Sequence, residues 1–150
     1  MIFKVYQNYL GKTFLITFIK AVFIFIGLAF ILNIFEEINF FKDLEVSLTL
    51  PIFLTFLNIP SIIFEIFPFI FLISTQFFFI KLIEQNENVA FKNFGLSNLK
   101  IISLLSTISF LVGVLIVTIF YNLSSNLKHS YLNIKNSYAK DNKYLAVITE

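Results

Sequence analysis

The sequence predicts an all-α integral membrane protein with three transmembrane helices. Of its 150 residues, 58% are hydrophobic and only 13% are charged, and the mean hydropathy is +0.88. Soluble domains usually contain about 45–50% apolar and about 25% charged residues, so this chain cannot face water over its whole surface. Three apolar segments are long enough to cross about 30 Å of hydrocarbon as helices.

The composition excludes several classes of function. The chain has no cysteine and one histidine, His129, so neither a disulfide framework nor a cysteine or histidine metal cluster fits one copy. The net charge of +2 is too small to indicate nucleic acid binding. The sequence lacks a Ser-His-Asp set, a glycine-rich phosphate loop and a paired-histidine motif, so we predict no enzymatic activity and no cofactor.

The first predicted span covers residues 13–34 and is apolar except for Lys20. The lysine can extend its ammonium toward the N-terminal side of the membrane. Residues 1–12 carry Lys4 and Lys12 at amphipathic spacing and are expected to lie at the membrane surface. The apolar run is longer than that of a cleaved signal peptide, so we expect it to remain as a span.

The next apolar segment is too long for one ordinary span, and a short acidic loop, residues 36–45, precedes it. Pro60 divides it, because proline lacks a backbone donor and disfavours a helical residue before it. We therefore predict a segment along the outer membrane surface over residues 46–59. The second span follows over residues 61–83, where Pro68 can introduce a kink.

A short polar connection, residues 84–94, has the spacing of a helix. Glu84, Glu87 and Phe91 occur at i, i+3 and i+7, which places them on one helical face. Gly95 fits a helix terminator. The pattern suits either a docking helix for a cytoplasmic partner or a solvated loop between two spans.

The third predicted span covers residues 99–123. A helical stripe follows it, so this helix should continue into water for several turns. Residues 143–149 are rich in β-formers and predict a strand. A lone strand cannot satisfy its own backbone, so we expect its sheet to lie in sequence beyond this chain. The stripe consists of Leu123, Leu127, Tyr131, Ile134 and Tyr138.

Lysines near the span ends predict the orientation in the membrane. One side would carry five of them, whereas the first loop on the other side has only Lys42. The N terminus and the connection at residues 84–94 are therefore expected in the cytoplasm, and residues 124–150 outside. The five lysines are Lys4, Lys12, Lys81, Lys92 and Lys100.

Charged residues beside apolar segments are candidate ligand contacts. Glu65 is the one carboxylate within the second span, and such a group usually faces a cavity or another helix. Because it lies one turn from the start of that span, a simple interfacial position is the alternative. Lys128 and Lys135 follow the third span and could hold phosphates of an anionic ligand, or form a solvated face.

Three motifs resemble the family of lipopolysaccharide-export permeases LptF and LptG. They are N-Y-L-G-K-T beginning at Asn8, P-x-x-x-x-E-I-F-P from Pro60 to Pro68, and a glutamate, Glu87, eight residues before Gly95. Their order and spacing agree along nearly the whole chain. The opening tyrosine-glycine-lysine element is more similar to LptG than to LptF.

The resemblance implies six transmembrane helices with a periplasmic β-jellyroll between the third and fourth. This chain would then be a truncated inner-membrane permease that supplies three helices, a cytoplasmic coupling helix and the first jellyroll strand. LptF and LptG pair with each other and with two copies of the ATPase LptB. They pass lipopolysaccharide toward LptC and LptA, so the chain itself would hydrolyse no ATP.

The resemblance also implies functional residues. Glu87 matches the coupling-helix glutamate of the family. Many relatives place a basic residue near the outer end of the first helix, where it meets lipid phosphate, but this chain has Asn33 there. The expected ATPase-coupling residues are Glu84, Glu87, Ala90, Phe91 and Gly95, and the expected lipid-cavity residues are Asn33, Glu36, Lys42, Glu65, Lys128 and Lys135.

Two other functions fit a chain of three spans. One is a membrane scaffold or assembly protein that transports nothing, and the other is a small ion channel. Accumulation of lipopolysaccharide in the inner membrane after gene deletion would favour the exporter over the scaffold. Conductance of the purified chain in bilayers would indicate the channel.

Overall fold

The computed structural model describes residues 2–42, 44, 46–93, 95 and 97–139, and every regular element in this part of the chain is helical. The strand predicted at residues 143–149 lies outside the described residues. Between α4 and α5 the chain winds as a π-helix over Ile116–Phe120. The helices are α1 (Ile2–Phe40), α2 (Thr49–Glu84), α3 (Glu87–Asn93), α4 (Asn98–Leu115) and α5 (Tyr121–Tyr138).

Three helical segments of the described chain are long and apolar enough to cross a membrane, which confirms the predicted number of spans. They are Val5–Phe40, Thr49–Glu84 and Asn98–Tyr138, of which the last joins α4, the π-helix and α5. Large apolar side chains such as Phe23 and Phe110 are about 70% exposed. Surfaces of this kind are stable where lipid covers them.

Helix α2 is continuous where the sequence predicted a division. Pro60 and Pro68 both lie inside it, so the predicted division of the helix at Pro60 is wrong, whereas the position of residues 46–59 along the membrane surface stays a prediction. Membrane helices tolerate proline because neighbouring groups can satisfy the freed backbone carbonyls. Pro51 lies in the first turn, where its missing N–H is harmless, and its carbonyl accepts the Thr55 hydroxyl at 2.9 Å.

Helix α1 extends beyond its predicted end and includes the first part of the predicted acidic loop. Glu36 and Glu37 therefore lie on the last turns of a helix that ends at Phe40. The next residue, Phe41, is buried and packs with Leu54 and Tyr131. This packing holds the end of α1 in place, a contact with distant residues that local sequence pattern does not reveal.

The chain divides into two compact units, residues 1–25 with 66–118 and residues 26–65 with 119–150. In unit 1, the edge-to-face contact of Phe14 and Phe78, at 5.6 Å between ring centroids, is part of the core. Lipid is as apolar as these side chains, so van der Waals packing rather than expulsion of water stabilises such contacts. The core of unit 1 contains Leu10, Phe14, Phe78, Leu82, Ile101 and Leu105.

Candidate functional site

Unit 2 contains a cavity of about 460 Å³ that residues of α1, α2 and α5 line together. Polar side chains are concentrated around it although the chain as a whole is apolar. A mixed polar and apolar lining is suited to an amphipathic ligand, because a few placed polar groups fix its orientation. The polar lining consists of Asn33, Glu36, Asn58, Lys128, Lys135 and Asn136.

A buried ion pair joins α1 to α5 beside this cavity. The Lys135 ammonium lies 2.8 Å from Oε1 of Glu37, whose side chain is fully buried. The hydroxyl of Tyr131 donates to the same carboxylate oxygen at 2.7 Å and accepts a hydrogen bond from Lys135 at 2.7 Å. The cation neutralises a carboxylate that water cannot reach, so the pair fixes the position of Lys135.

Lys128, one of the two lysines lining the cavity, has a different environment. Its ammonium donates to the Asn58 side-chain oxygen at 2.9 Å and lies 5.7 Å from the centroid of the Tyr131 ring. Both partners are neutral, and no carboxylate of the described residues pairs with it. The half-buried charge of Lys128 therefore remains available to an anion in the cavity.

Asn33 contributes an unsatisfied amide to the same cavity. Its side chain is only 4% exposed, and its Oδ1 atom finds no hydrogen-bond partner within the described chain. Buried polar atoms are normally paired, so an unpaired one at a cavity wall needs a polar ligand or water. Asn33 therefore belongs with the groups that could bind a ligand here.

The structure brings together four of the six residues predicted to contact lipid. Asn33 and Glu36 on α1 meet Lys128 and Lys135 on α5 around the cavity. The other two do not line it. Lys42 is exposed in the turn after α1, and Glu65 is exposed on α2, where it accepts a hydrogen bond from Ser61 at 3.3 Å.

Sequence reasoning missed Glu37, Tyr131 and Asn58 as parts of the site. Glu37 stands beside Glu36 in an acidic stretch, which is typical of a solvated loop. Tyr131 was predicted only as part of the helical stripe after the third span. The signal that was available is the spacing of Tyr131 and Lys135, which places both on one face of α5.

The predicted coupling face does not form as one surface, because the helix breaks between Glu84 and Glu87. Asn86 has a positive φ of 53°, so α2 ends before it and α3 begins after it. Glu84 is therefore the last residue of α2, and its side chain is exposed. Gly95 follows α3 with φ of 78°, a conformation that glycine adopts without strain.

Helix α3 is attached to α1 within unit 1. The Tyr9 hydroxyl donates a hydrogen bond to Oε1 of Glu87. The ring of Phe91 lies 6.4 Å from that of Tyr9 and packs against the core of unit 1. Glu87 and Phe91 thus face the protein, whereas Val89 and Ala90 are exposed.

A comparison with known families supplies the identification. The profile described as lipopolysaccharide export system permease LptF/LptG matches residues 8–150. The chain belongs to the LptF/LptG family. Neither the curated proteins nor the solved structures give a match.

Membership of the LptF/LptG family confirms the resemblance that the three motifs indicated. Proteins of this family are permease components of lipopolysaccharide export. Family membership, together with three helices of membrane-spanning length, makes this chain a multi-pass protein of the inner membrane. The cavity of unit 2 and the attachment of α3 are therefore features of an LptF/LptG permease.

Proposed function

We propose that this chain is a permease subunit of an ATP-driven exporter that extracts lipopolysaccharide from the inner membrane. The cavity of unit 2 would hold the anionic headgroup. The observation that carries this proposal is Lys128, a half-buried ammonium at the cavity wall with no carboxylate partner among the described residues. An ammonium of this kind makes strong, charge-assisted hydrogen bonds to phosphate oxygens.

A partner ATPase, an LptB-like dimer, would supply the energy. The exposed surface near Glu84, Val89 and Ala90 is where we propose that the ATPase docks. Glu87 and Phe91 would then pass its movement to α1, because both contact Tyr9. A contact of this kind transmits motion only if the helices have two stable arrangements.

Family membership supports a proposal for the remaining parts of the assembly. The chain would pair with a second permease of LptF or LptG type, and we assign it to the LptG side on its Tyr9-Leu10-Gly11-Lys12 element. Its N terminus would lie in the cytoplasm. Residues 143–149 would begin a periplasmic β-jellyroll that passes lipid to LptC-like and LptA-like proteins.

Photo-crosslinking in cells tests the headgroup site directly. A photoreactive amino acid would replace Leu132, which lines the cavity, in the full-length protein. The matched control replaces Leu123, an exposed residue of the same helix that does not line it. We expect lipopolysaccharide to be captured at Leu132 and not at Leu123.

Failure to capture lipopolysaccharide at Leu132 in a protein that is correctly inserted would contradict the proposal. Equal or stronger capture at Leu123 would also contradict it, because lipid would then contact the exposed surface of α5 without preferring the cavity. A membrane scaffold, the alternative function, would give no specific capture at either position.

A further inference from the structure

Among the residues that the structure describes, the charges around the cavity of unit 2 leave one cation, Lys128, without a carboxylate partner. Lys128 and Lys135 are positive, and Glu36 and Glu37 are negative. Glu37 lies 2.8 Å from Lys135 and is fully buried, so these two charges cancel where they stand. Glu36 is exposed at the cavity wall, where it repels any anion that approaches on its side.

Lys135 cannot easily turn toward a ligand. Two of its three donors are used, on Glu37 and on the Tyr131 oxygen, and its ammonium lies 4.7 Å from the centroid of the Phe40 ring. Oε2 of Glu37 is buried and already lacks a partner among the described residues. Withdrawal of Lys135 would leave the buried carboxylate without a cation and with the Tyr131 hydroxyl as its remaining partner among the described residues, and a buried charge without a counter-charge is strongly destabilising.

Neutral amides outnumber the free cation at the cavity wall. Asn33, Asn58 and Asn136 all line it. A side-chain amide both donates and accepts, so it matches the hydroxyls of a sugar as well as a phosphate oxygen. The Oδ1 atom of Asn33 is a buried acceptor beside this wall and has no hydrogen-bond partner among the described residues.

We propose that the cavity recognises a sugar headgroup carrying a single phosphate. Lys128 binds the phosphate, the asparagine amides bind sugar hydroxyls, and Lys135 is a positioning residue held by Glu37. A second phosphate would meet Glu36 and would find no second unpaired cation among the described residues. This inference rests on the proposed function, since it assumes that the exported lipid enters this cavity.

Binding of three lipids that differ only in phosphate number tests the inference. The full-length protein, without a second permease, would be placed in zwitterionic nanodiscs and given lipid A with no, one or two phosphates and the same acyl chains. We expect one phosphate to tighten binding about tenfold, the effect of one charge-assisted hydrogen bond. The second phosphate should give no further gain.

Three variants test which residues bind the phosphates. Lys128→Gln should remove the advantage of the first phosphate, whereas Lys42→Gln, an exposed lysine outside the cavity wall, should retain it. Glu37→Gln should free Lys135 and create a preference for two phosphates. If Glu37→Gln does not fold, Lys128→Gln still tests the inference, because Lys128 is half-buried and its hydrogen bond within the described chain is to the neutral Asn58 side chain.

The outcomes separate this inference from the proposed function. If the unchanged protein binds the lipid with two phosphates about tenfold more tightly than that with one, the inference is wrong. Equal binding of all three lipids also overturns it but leaves a lipid cavity. If none of the three binds, the proposed function fails and the inference fails with it.

Discussion

Two lysines on one helix differ in role because their surroundings differ. Lys128 and Lys135 are both half-buried and line the same cavity. Lys135 faces a buried carboxylate and is neutralised by it, whereas Lys128 faces a neutral amide. At the scale of single residues, Lys135 holds α5 against α1, and Lys128 is available for a ligand.

Loss of the Lys135 ammonium should destabilise the protein. Lys135→Ala leaves Glu37 buried without a cation, and breaking such a pair costs about 3–5 kcal/mol. Thermal unfolding in detergent, followed by circular dichroism, measures the loss. Lys42→Ala is the control, since an exposed substitution changes stability by about 0.5 kcal/mol or less. Equal melting temperatures for the two variants would contradict a structural role for the ion pair.

Helix α3 is the element that we propose would receive movement from a partner ATPase. The sequence placed a short helix in the polar connection between the second and third spans, and the structure has one there. Its contact with α1 depends on Tyr9, which lies 78 positions away from Glu87 in the chain. Helical periodicity reports which residues share a face, but not which other helix that face meets.

Tyr9→Phe should lower the amount of lipopolysaccharide released per ATP. The substitution removes one hydrogen bond to a carboxylate, worth about 1.5–3 kcal/mol, and leaves the ring contact with Phe91. In proteoliposomes with the full complex, Glu87→Ala should have a similar effect, and Glu84→Ala a smaller one. Normal coupling in Tyr9→Phe, with loss in Glu87→Ala, would show that Glu87 acts on the ATPase rather than through α1.

In the other elements too, a local sequence pattern predicts helices but not the contacts that they make with one another. Hydropathy over residues 13–34, 61–83 and 99–123 correctly predicted three membrane-length helices, because apolar length is a local property. The continuity of α2 through Pro60 was not predictable, since the backbone of a membrane helix is completed by its neighbours. The burial of Glu37 was not predictable either, because it requires Tyr131 and Lys135 from another helix.

For the whole molecule, the described residues form two compact units, and each unit contains one of the two proposed sites. Unit 1 contains α3 and its attachment to α1. Unit 2 contains the polar cavity, where Lys128 is the cation that has no carboxylate partner among the described residues. Exposed apolar side chains cover the helices between their ends, which suits a protein that works in lipid. We therefore expect lipid export to require this chain and, within it, Lys128.

The most direct test is the fraction of newly made lipopolysaccharide that reaches the outer membrane in cells depleted of this protein. Depletion should leave the lipid in the inner membrane, and the unchanged full-length protein and Lys42→Glu should both restore export. Lys128→Glu should restore about a tenth or less, because it replaces the phosphate-binding cation with a repelling charge. Export that continues during depletion, or full rescue by Lys128→Glu, would contradict the account.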